Sequence, residues 1–590
     1  MKPRTPNSKL LEGAFILSAA AIISKLIGTL QKIPLQNLGG DAVFGIYNTV
    51  YPIYTLIVTV TMLGLPAAVS RYVAEAEAGG QGEEGQRIVL KSALITGISG
   101  LFMALATYAG APLIARWVGS SHIVDALRTA AWGLAVVPIM TVLRGYFQGL
   151  HNMVPTALSQ IVEQTVRVAV MISLLLYLSS IAAGPESIAA GAMLGSAGGG
   201  AAGLVIMLLY WRRHRRSRIT GRAAEQAGGS GAEHIILEGT RHPDKSKISG
   251  AVEGSKRTEE SKSKEESSTS TAAEGSRRLT GSTTTRQLLS YGVPVMLGAL
   301  ALPLMGLVDV FTLPRLLSSA EGSGREAMVQ FGIYNRGLPL VQLVTMLATS
   351  LSVVFIPSLA EARFKGDTKL IELRCLLSLR WFWLLGLAAS AGLAVLAGPI
   401  NSALYGSMDG TATIAWVAFT AAGGTVSIIS AAMLQGLGAA RAPALHLLAA
   451  AALKAALNLL LVPQQGITGA AIAGVAAYLF AAALNVLLLR RKAHLRLRPA
   501  DVLARPALLT AALALAAAAA SRGTGWAFAA AGLDGRAASL AQSLLGVAAG
   551  CAAFAVGAVA LRLLSESELR QLPGIGPSLA DLLRKLGLFR

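Results

Sequence analysis

The chain arranges its apolar residues in uninterrupted blocks of about 18–28, and that block length constrains its fold more than any motif. At 1.5 Å per residue, such a block crosses a hydrocarbon core of about 30 Å as a helix. Phe15–Ile27, Ile88–Gly110, Val168–Leu178, Met193–Trp211 and Ala537–Leu561 lie in such blocks. Backbone in lipid must satisfy its own hydrogen bonds, which leaves helices or closed barrels. The short alternating strands of a barrel do not dominate here. Composition agrees: 53% of residues are apolar and 14% charged, where a soluble domain carries about 25% charged residues. The reading is an all-α integral membrane protein of about fourteen transmembrane helices. The expected spans are 11–36, 43–70, 88–110, 128–148, 154–180, 188–211, 286–315, 328–358, 371–397, 411–437, 442–463, 467–490, 501–521 and 537–564. The basic N-terminus followed by an apolar run reads as the first span rather than a cleaved signal.

Loop charge orients the bundle. Arg87 and Lys91, Arg363, Lys365 and Lys369, and the basic run Arg490–Arg498 all follow even-numbered spans. Both termini are therefore expected to be cytoplasmic in the cell membrane. Residues 212–285 open with Arg212-Arg213-His214-Arg215-Arg216 and continue through Gly, Ser, Thr, Glu and Lys. Such a segment buries too little apolar surface to offset its ordering entropy and reads as a disordered cytoplasmic linker. Its first residues suit anionic lipid head groups or serve as a topology signal. The net charge of +20 is then mainly a cytoplasmic-face property and implies no nucleic acid.

The linker separates two similar halves. Phe44-Gly45-Ile46-Tyr47-Asn48 recurs as Phe331-Gly332-Ile333-Tyr334-Asn335, and Gln148-Gly149-Leu150 as Gln435-Gly436-Leu437, both at an offset of 287 (331 − 44 and 435 − 148). Val60-Thr61-Met62-Leu63 matches Val344-Thr345-Met346-Leu347, and Ala74-Glu75-Ala76 matches Ala360-Glu361-Ala362. The organisation expected is a six-helix lobe (1–211), the linker (212–285), a second six-helix lobe (286–490), two further helices (491–564) and an amphipathic cytoplasmic tail (565–590). Six spans per copy give both copies one orientation, so they form a parallel pseudo-repeat with substrate between the lobes.

Ionisable groups inside spans are costly and mark cavities or partners. Lys25 sits about fourteen residues into the first span, with Gln31 and Lys32 two turns on. Asn335 and Arg336 lie in the eighth. Lys25 and Arg336 read as cavity-lining, against snorkelling to an interface, and with Gln31, Lys32, Asp41 and Asn335 they form the candidate substrate-binding set of the central cavity. Glu163 and Arg167, at i and i+4, suit an intrahelical pair. Asp309 reads either as an ion-coupling group or as the buried partner of a lobe cation. Arg71 and Arg144, near span ends, read as topology anchors, and Lys454 and Asn458 complete the set. A mainly cationic centre favours an anionic head group such as a diphosphate.

Several stretches carry a family resemblance: Ser24-Lys25-Leu26-Ile27-Gly28, Gly39 through Asn48, Leu143-Arg144-Gly145-Tyr146-Phe147-Gln148-Gly149, Tyr334-Asn335-Arg336 and Ile356-Pro357-Ser358-Leu359. The chain resembles the stage V sporulation protein B branch of the polysaccharide-transporter group, in the superfamily of MurJ-type lipid II flippases and multidrug extruders. The resemblance implies a V-shaped, two-lobed flippase working by alternating access as a monomer. Its implied cargo is an undecaprenyl-pyrophosphate-linked saccharide, such as a peptidoglycan or spore-cortex precursor. Lys25, Asp41 and Arg336 match family positions for the central cavity. Gln31 is neutral where relatives carry a basic residue, with Lys32 adjacent, and the last two spans would form a lipid-tail groove.

The rival reading is a cation-coupled drug extruder of the same architecture, using Asp309 or Glu163. A third, DNA association, rests on Leu572-Pro573-Gly574-Ile575-Gly576-Pro577, which resembles a helix-hairpin-helix; a surface-lying tail is the simpler reading. Cys375 and Cys551 offer neither a disulfide framework nor a metal cluster. The chain has no P-loop, H-E-x-x-H or G-x-S-x-G. Without a nucleotide site or cofactor, the expected drive is a membrane potential or an H⁺ or Na⁺ gradient.

Overall fold

A computed structural model describes residues 6–232, 285–495 and 500–561, with 563, 581 and 584 beyond them. The first half runs α1 (Pro6–Leu30), α2 (Lys32–Thr61), α3 (Leu65–Ala78), α4 (Gly82–Val118), α5 (Val124–Gly149), α6 (Val154–Ser180) and α7 (Pro185–Ala232). The second runs α8 (Thr285–Glu321), α9 (Gly324–Asn335), α10 (Leu338–Phe364), α11 (Thr368–Val395), α12 (Ala397–Tyr405), α13 (Thr411–Ala418), α14 (Thr420–Gly436) and α15 (Arg441–Lys492). A π turn at Ala500–Ala504 leads to α16 (Arg505–Ala530) and α17 (Arg536–Ala560).

Eleven stretches are long and apolar enough to cross a membrane. Ile16–Ala78 holds two crossings, Arg441–Lys492 divides at Gly466, and α8 adds another, so the described residues contain 11 + 1 + 1 + 1 = 14 crossings. The glycines explain the divisions. Gly466 takes φ 56° and ψ −139° inside α15, and Gly40 takes φ 77° and ψ 176° inside α2. Both are backbone states that a side chain disfavours. Two further breaks escape the apolar pattern. Leu63 and Gly64, at φ 50° and 67°, separate α2 from α3, and Arg336-Gly337 separates α9 from α10 ahead of Pro339.

The chain departs from expectation at its linker. Residues 212–232 continue α7 rather than opening a disordered segment. Arginine is a good helix former, and Arg218 Nη2 bonds both Glu77 carboxylate oxygens at 2.6 Å, tying the extension to α3. The remainder of the linker, 233–284, and nearly all of the tail with its hairpin motif lie outside the described residues.

The repeat is visible as reciprocal packing. A Cβ on Gly45 would fall 1.9 Å from Met328 O, and a Cβ on Gly332 would fall 2.1 Å from Asp41 O. Residues 41 and 328 differ by 287, as do 45 and 332. Thus α2 and α9 cross at backbone contact about the pseudo-axis, and each copy of the Phe-Gly-Ile-Tyr-Asn motif supplies the glycine that permits it. We call this level the far end, opposite the end that carries the linker. At the linker end, a Cβ on Gly64 would fall 1.9 Å from Gly292 O. There Tyr72 and Tyr291 meet edge to face at 6.3 Å, and Arg71 stands 5.0 Å above the Tyr291 ring. Arg71 also pairs with Glu75 on its own helix.

Candidate functional site

The break at Gly40 makes Asp41 the first residue of a new helical segment, where a carboxylate is favoured by the free backbone N–H groups. Asp41 faces Arg336, which ends α9. Arg336 Nε donates to Asp41 Oδ1 at 2.9 Å and Nη2 to Oδ2 at 2.5 Å. Arg336 Nη1 donates to Asn401 Oδ1 at 3.3 Å and to Asp409 O at 3.2 Å. Gln36 Nε2 donates to Asp41 Oδ1 at 3.1 Å, and Tyr405 Oη to Arg336 O at 2.8 Å. Arg336 is 1% exposed. The forked guanidinium therefore closes a bidentate pair between the two repeats, just beside the Gly45–Gly332 crossing. Removing one partner of such a pair strands the other charge, at about 3–5 kcal/mol.

Arg336 is thus sealed by protein groups in this state, whereas the sequence placed it on an open cavity wall. Asn335 also turns away: its amide donates to Phe331 O at 2.7 Å. Its repeat mate Asn48 does the same to Phe44 O at 2.8 Å. Both asparagines serve their own helices, where a buried amide needs a partner.

Lys25 is exposed on α1 and forms no ion pair among the described residues. Lys32, one residue into α2, is half-buried. Gln31 is buried, and its Oε1 accepts from Gln164 Nε2 at 3.4 Å, so it faces α6. The Arg336–Asp41 pair forms the seam between the repeats.

Two further charge clusters lie within the lobes. In the first repeat Glu163 holds two arginines: Oε1 accepts from Arg167 Nη2 at 2.5 Å and Oε2 from Arg144 Nη2 at 2.8 Å. Arg144 also donates twice to Ser159 Oγ, at 2.8 and 3.1 Å. The i,i+4 pair expected at 163 and 167 is present. Arg144, read from sequence as an anchor, is buried at 9% exposure and belongs to the same cluster. In the second repeat Asp309 accepts from Lys454 Nζ at 2.6 Å, Tyr334 Oη at 2.9 Å and Asn458 Nδ2 at 3.2 Å. Asp309 is the buried partner of a lobe cation in this structure. Arg167 and Lys454 occupy equivalent places, 454 − 167 = 287, a correspondence already readable from the repeat offset.

At the far end the final hairpin joins both repeats. Arg536, the first residue of α17, donates to Asn37 Oδ1 and to Leu404 O, the latter at 3.1 Å. Asn37 Nδ2 donates to the same Leu404 O at 2.8 Å, and Ser402 and Ser539 hydroxyls meet at 3.0 Å. No group of three or more His, Cys, Asp or Glu side chains among the described residues is arranged to hold a metal ion.

Fourteen crossings among the described residues and a pseudo-twofold seam define a multi-pass membrane protein built from two parallel repeats. Comparison with known proteins agrees and is more particular. The model of the family described as polysaccharide biosynthesis protein matches residues 10–225. The uncharacterized membrane protein YabM of Bacillus subtilis (strain 168) is 31% identical over 577 residues, 97% of this chain and 96% of that protein. The lipid II flippase MurJ of the same organism is 24% identical over 508 residues, 82% of this chain and 84% of its own length. A solved structure of lipid II flippase MurJ in an inward closed conformation matches with a TM-score of 0.56 at 12% identity, over 92% of this chain and 99% of that one. This last likeness is one of fold. The chain belongs to the polysaccharide biosynthesis protein family.

Proposed function

We propose that this protein flips an undecaprenyl-class, diphosphate-linked saccharide across the cell membrane by alternating closure of the two repeats. The observation that carries this reading is the Arg336–Asp41 pair. It is a buried, bidentate lock between repeats, at a seam that has to part for the far end to open. A diphosphate presents the same bidentate oxygens as a carboxylate and more charge. It is therefore suited to compete for basic groups that the lock or the first repeat presents. Lys25, exposed and without an ion-pair partner among the described residues, is the group to meet it first, with Lys32 beside it.

With the linker end and both termini on the cytoplasmic side, the far end faces outward. An anionic cargo then moves down the membrane potential, worth about 2.3 kcal/mol per charge at 100 mV. No nucleotide is needed for that drive, and a single copy contains both halves of the pathway. The drug-extruder alternative would need a free acidic group in a lobe. Glu163 and Asp309 are each bonded to cations here.

The test is flipping of a fluorescent lipid-linked diphosphate saccharide in proteoliposomes under an imposed potential. Lys25→Ala is expected to lower the rate about ten-fold or more with size-exclusion and melting temperature unchanged, and Asp41→Asn to lower it at least as much with a reduced melting temperature but a folded, monodisperse protein. Wild-type rates in both variants would overturn the reading, as would export of cationic dyes with no movement of the lipid.

A further inference from the structure

The Glu163 cluster of the first repeat holds two arginines and one carboxylate among the described residues. Arg144 and Arg167 share one carboxylate, Glu163, and no other carboxylate is bonded to either among the described residues. Both arginines are 9% exposed. Arg167 lies thirteen residues into the 27-residue α6, about 20 Å from its start and so near mid-bilayer. A charge left uncompensated at that depth is costly, and chains that keep one there supply it with a counter-charge.

The surroundings of Arg167 are built for an anion. Tyr47, Tyr51 and Tyr54 lie on one face of α2, with Tyr47 and Tyr51 stacked at 5.6 Å and Tyr51 and Tyr54 at 6.4 Å between ring centroids. Arg167 Nη1 approaches Tyr51 Oη at 3.4 Å. Two buried donors have no protein partner: Arg167 Nε and Tyr54 Oη. Tyr54 is 4% exposed. Buried donors left without an acceptor are rare and point to a ligand or water.

The space is small. A Cβ on Gly133 would fall 2.7 Å from Tyr54 Oη, and one on Gly199 would fall 2.8 Å from Arg167 Cβ. Helices α5 and α7 thus press to glycine contact on either side. Backbone contact also presses here, since a Cβ on Gly199 would fall 2.5 Å from Glu163 O, and such crowding favours a monatomic anion over a branched or tetrahedral one.

We propose that the first repeat binds a halide ion, chloride under ordinary conditions, between the Arg167 guanidinium and the Tyr54 hydroxyl, and that this ion is the missing counter-charge. The site lies inside one lobe rather than on the seam, so it stands independently of what the protein flips.

The experiment is thermal unfolding of the full-length protein in detergent, at constant ionic strength, as gluconate is replaced by chloride or bromide. Wild type is expected to show a saturable rise in melting temperature with either halide, because a ligand that binds only the folded state stabilises it. Arg167→Gln should abolish the rise. Tyr54→Phe removes one hydrogen bond to the ion and should raise the half-saturating halide concentration about ten-fold, as expected for a hydrogen bond to a charged group. Equal melting temperatures in gluconate and chloride would overturn the proposal. So would a halide rise that survives Arg167→Gln. If Arg167→Gln fails to fold, an unchanged half-saturation in Tyr54→Phe overturns it, and the ten-fold shift supports it.

Discussion

The two lobes answer one problem differently. Each carries a cation at the same place in its repeat, Arg167 in the first and Lys454 in the second. In the second lobe a single carboxylate matches a single ammonium, and Tyr334 and Asn458 fill the rest of its shell. The cluster is neutral and nearly closed: the Lys454 and Asp309 side chains are 4% and 7% exposed. In the first lobe two guanidiniums lean on one carboxylate, the side chains are 11–13% exposed, and two donors are unspent. The equivalent tyrosines mark the contrast. Tyr334 donates to Asp309, whereas its repeat mate Tyr47 belongs to a stack around a cation. The two copies thus share the position of the cation but place the acid differently, on α6 in one and on α8 in the other. The lesson is that one lobe is set as a closed body and the other as a responsive one.

This contrast can be broken most severely at Asp309. Asp309→Ala strands the Lys454 ammonium and should cost about 3–5 kcal/mol, read as a large fall in melting temperature. Adding Lys454→Met should recover most of it, since an apolar pair of similar volume replaces a buried ion pair well. If the double variant is no better than the single one, the cluster is not the self-contained pair described here. Next in size, Gly45→Ala and Gly332→Ala should each cost about 1–3 kcal/mol by forcing a methyl into a backbone carbonyl. Equal effects would mark the seam as symmetric and confine the asymmetry to the lobes; a difference greater than about 1 kcal/mol in denaturant unfolding would extend it to the seam. The smallest effect is expected at Arg536, which is exposed. Arg536→Ala should change stability by no more than about 1 kcal/mol. It should nonetheless increase cysteine cross-linking access at the far end if the hairpin restrains both repeats.

Much of the architecture was legible in the sequence because a hydrocarbon slab imposes a length. Apolar block size alone yields the crossings, and the offset of 287 finds the crossing glycines and the paired cations. What escaped was contact between distant residues. Asp41 and Arg336 are 295 apart, and neither apolar length nor periodicity says that they touch. The polar end of the Phe-Gly-Ile-Tyr-Asn motif points from sequence to cavity chemistry at Asn335. The structure uses its glycine to bring backbones together and spends the asparagine inside the helix. Arg144 shows the same limit: near a span end a cation has two destinations, water or an internal carboxylate, and only packing decides. Composition alone makes the linker's first residues disordered, but an existing helix extends at far lower cost than a new one begins.

That extension of α7 has a mechanical consequence. Residues 212–232 make a rod about 30 Å long, continuous with a helix of the first lobe and braced to α3 through Arg218 and Glu77. Any tilt of that lobe during transport sweeps the tip through an arc, so a tilt of about 10° displaces it by about 5 Å over that length. The helix therefore works as a pointer: it converts a buried rotation into a translation in water, where a probe placed on the rod can follow each cycle without touching the seam.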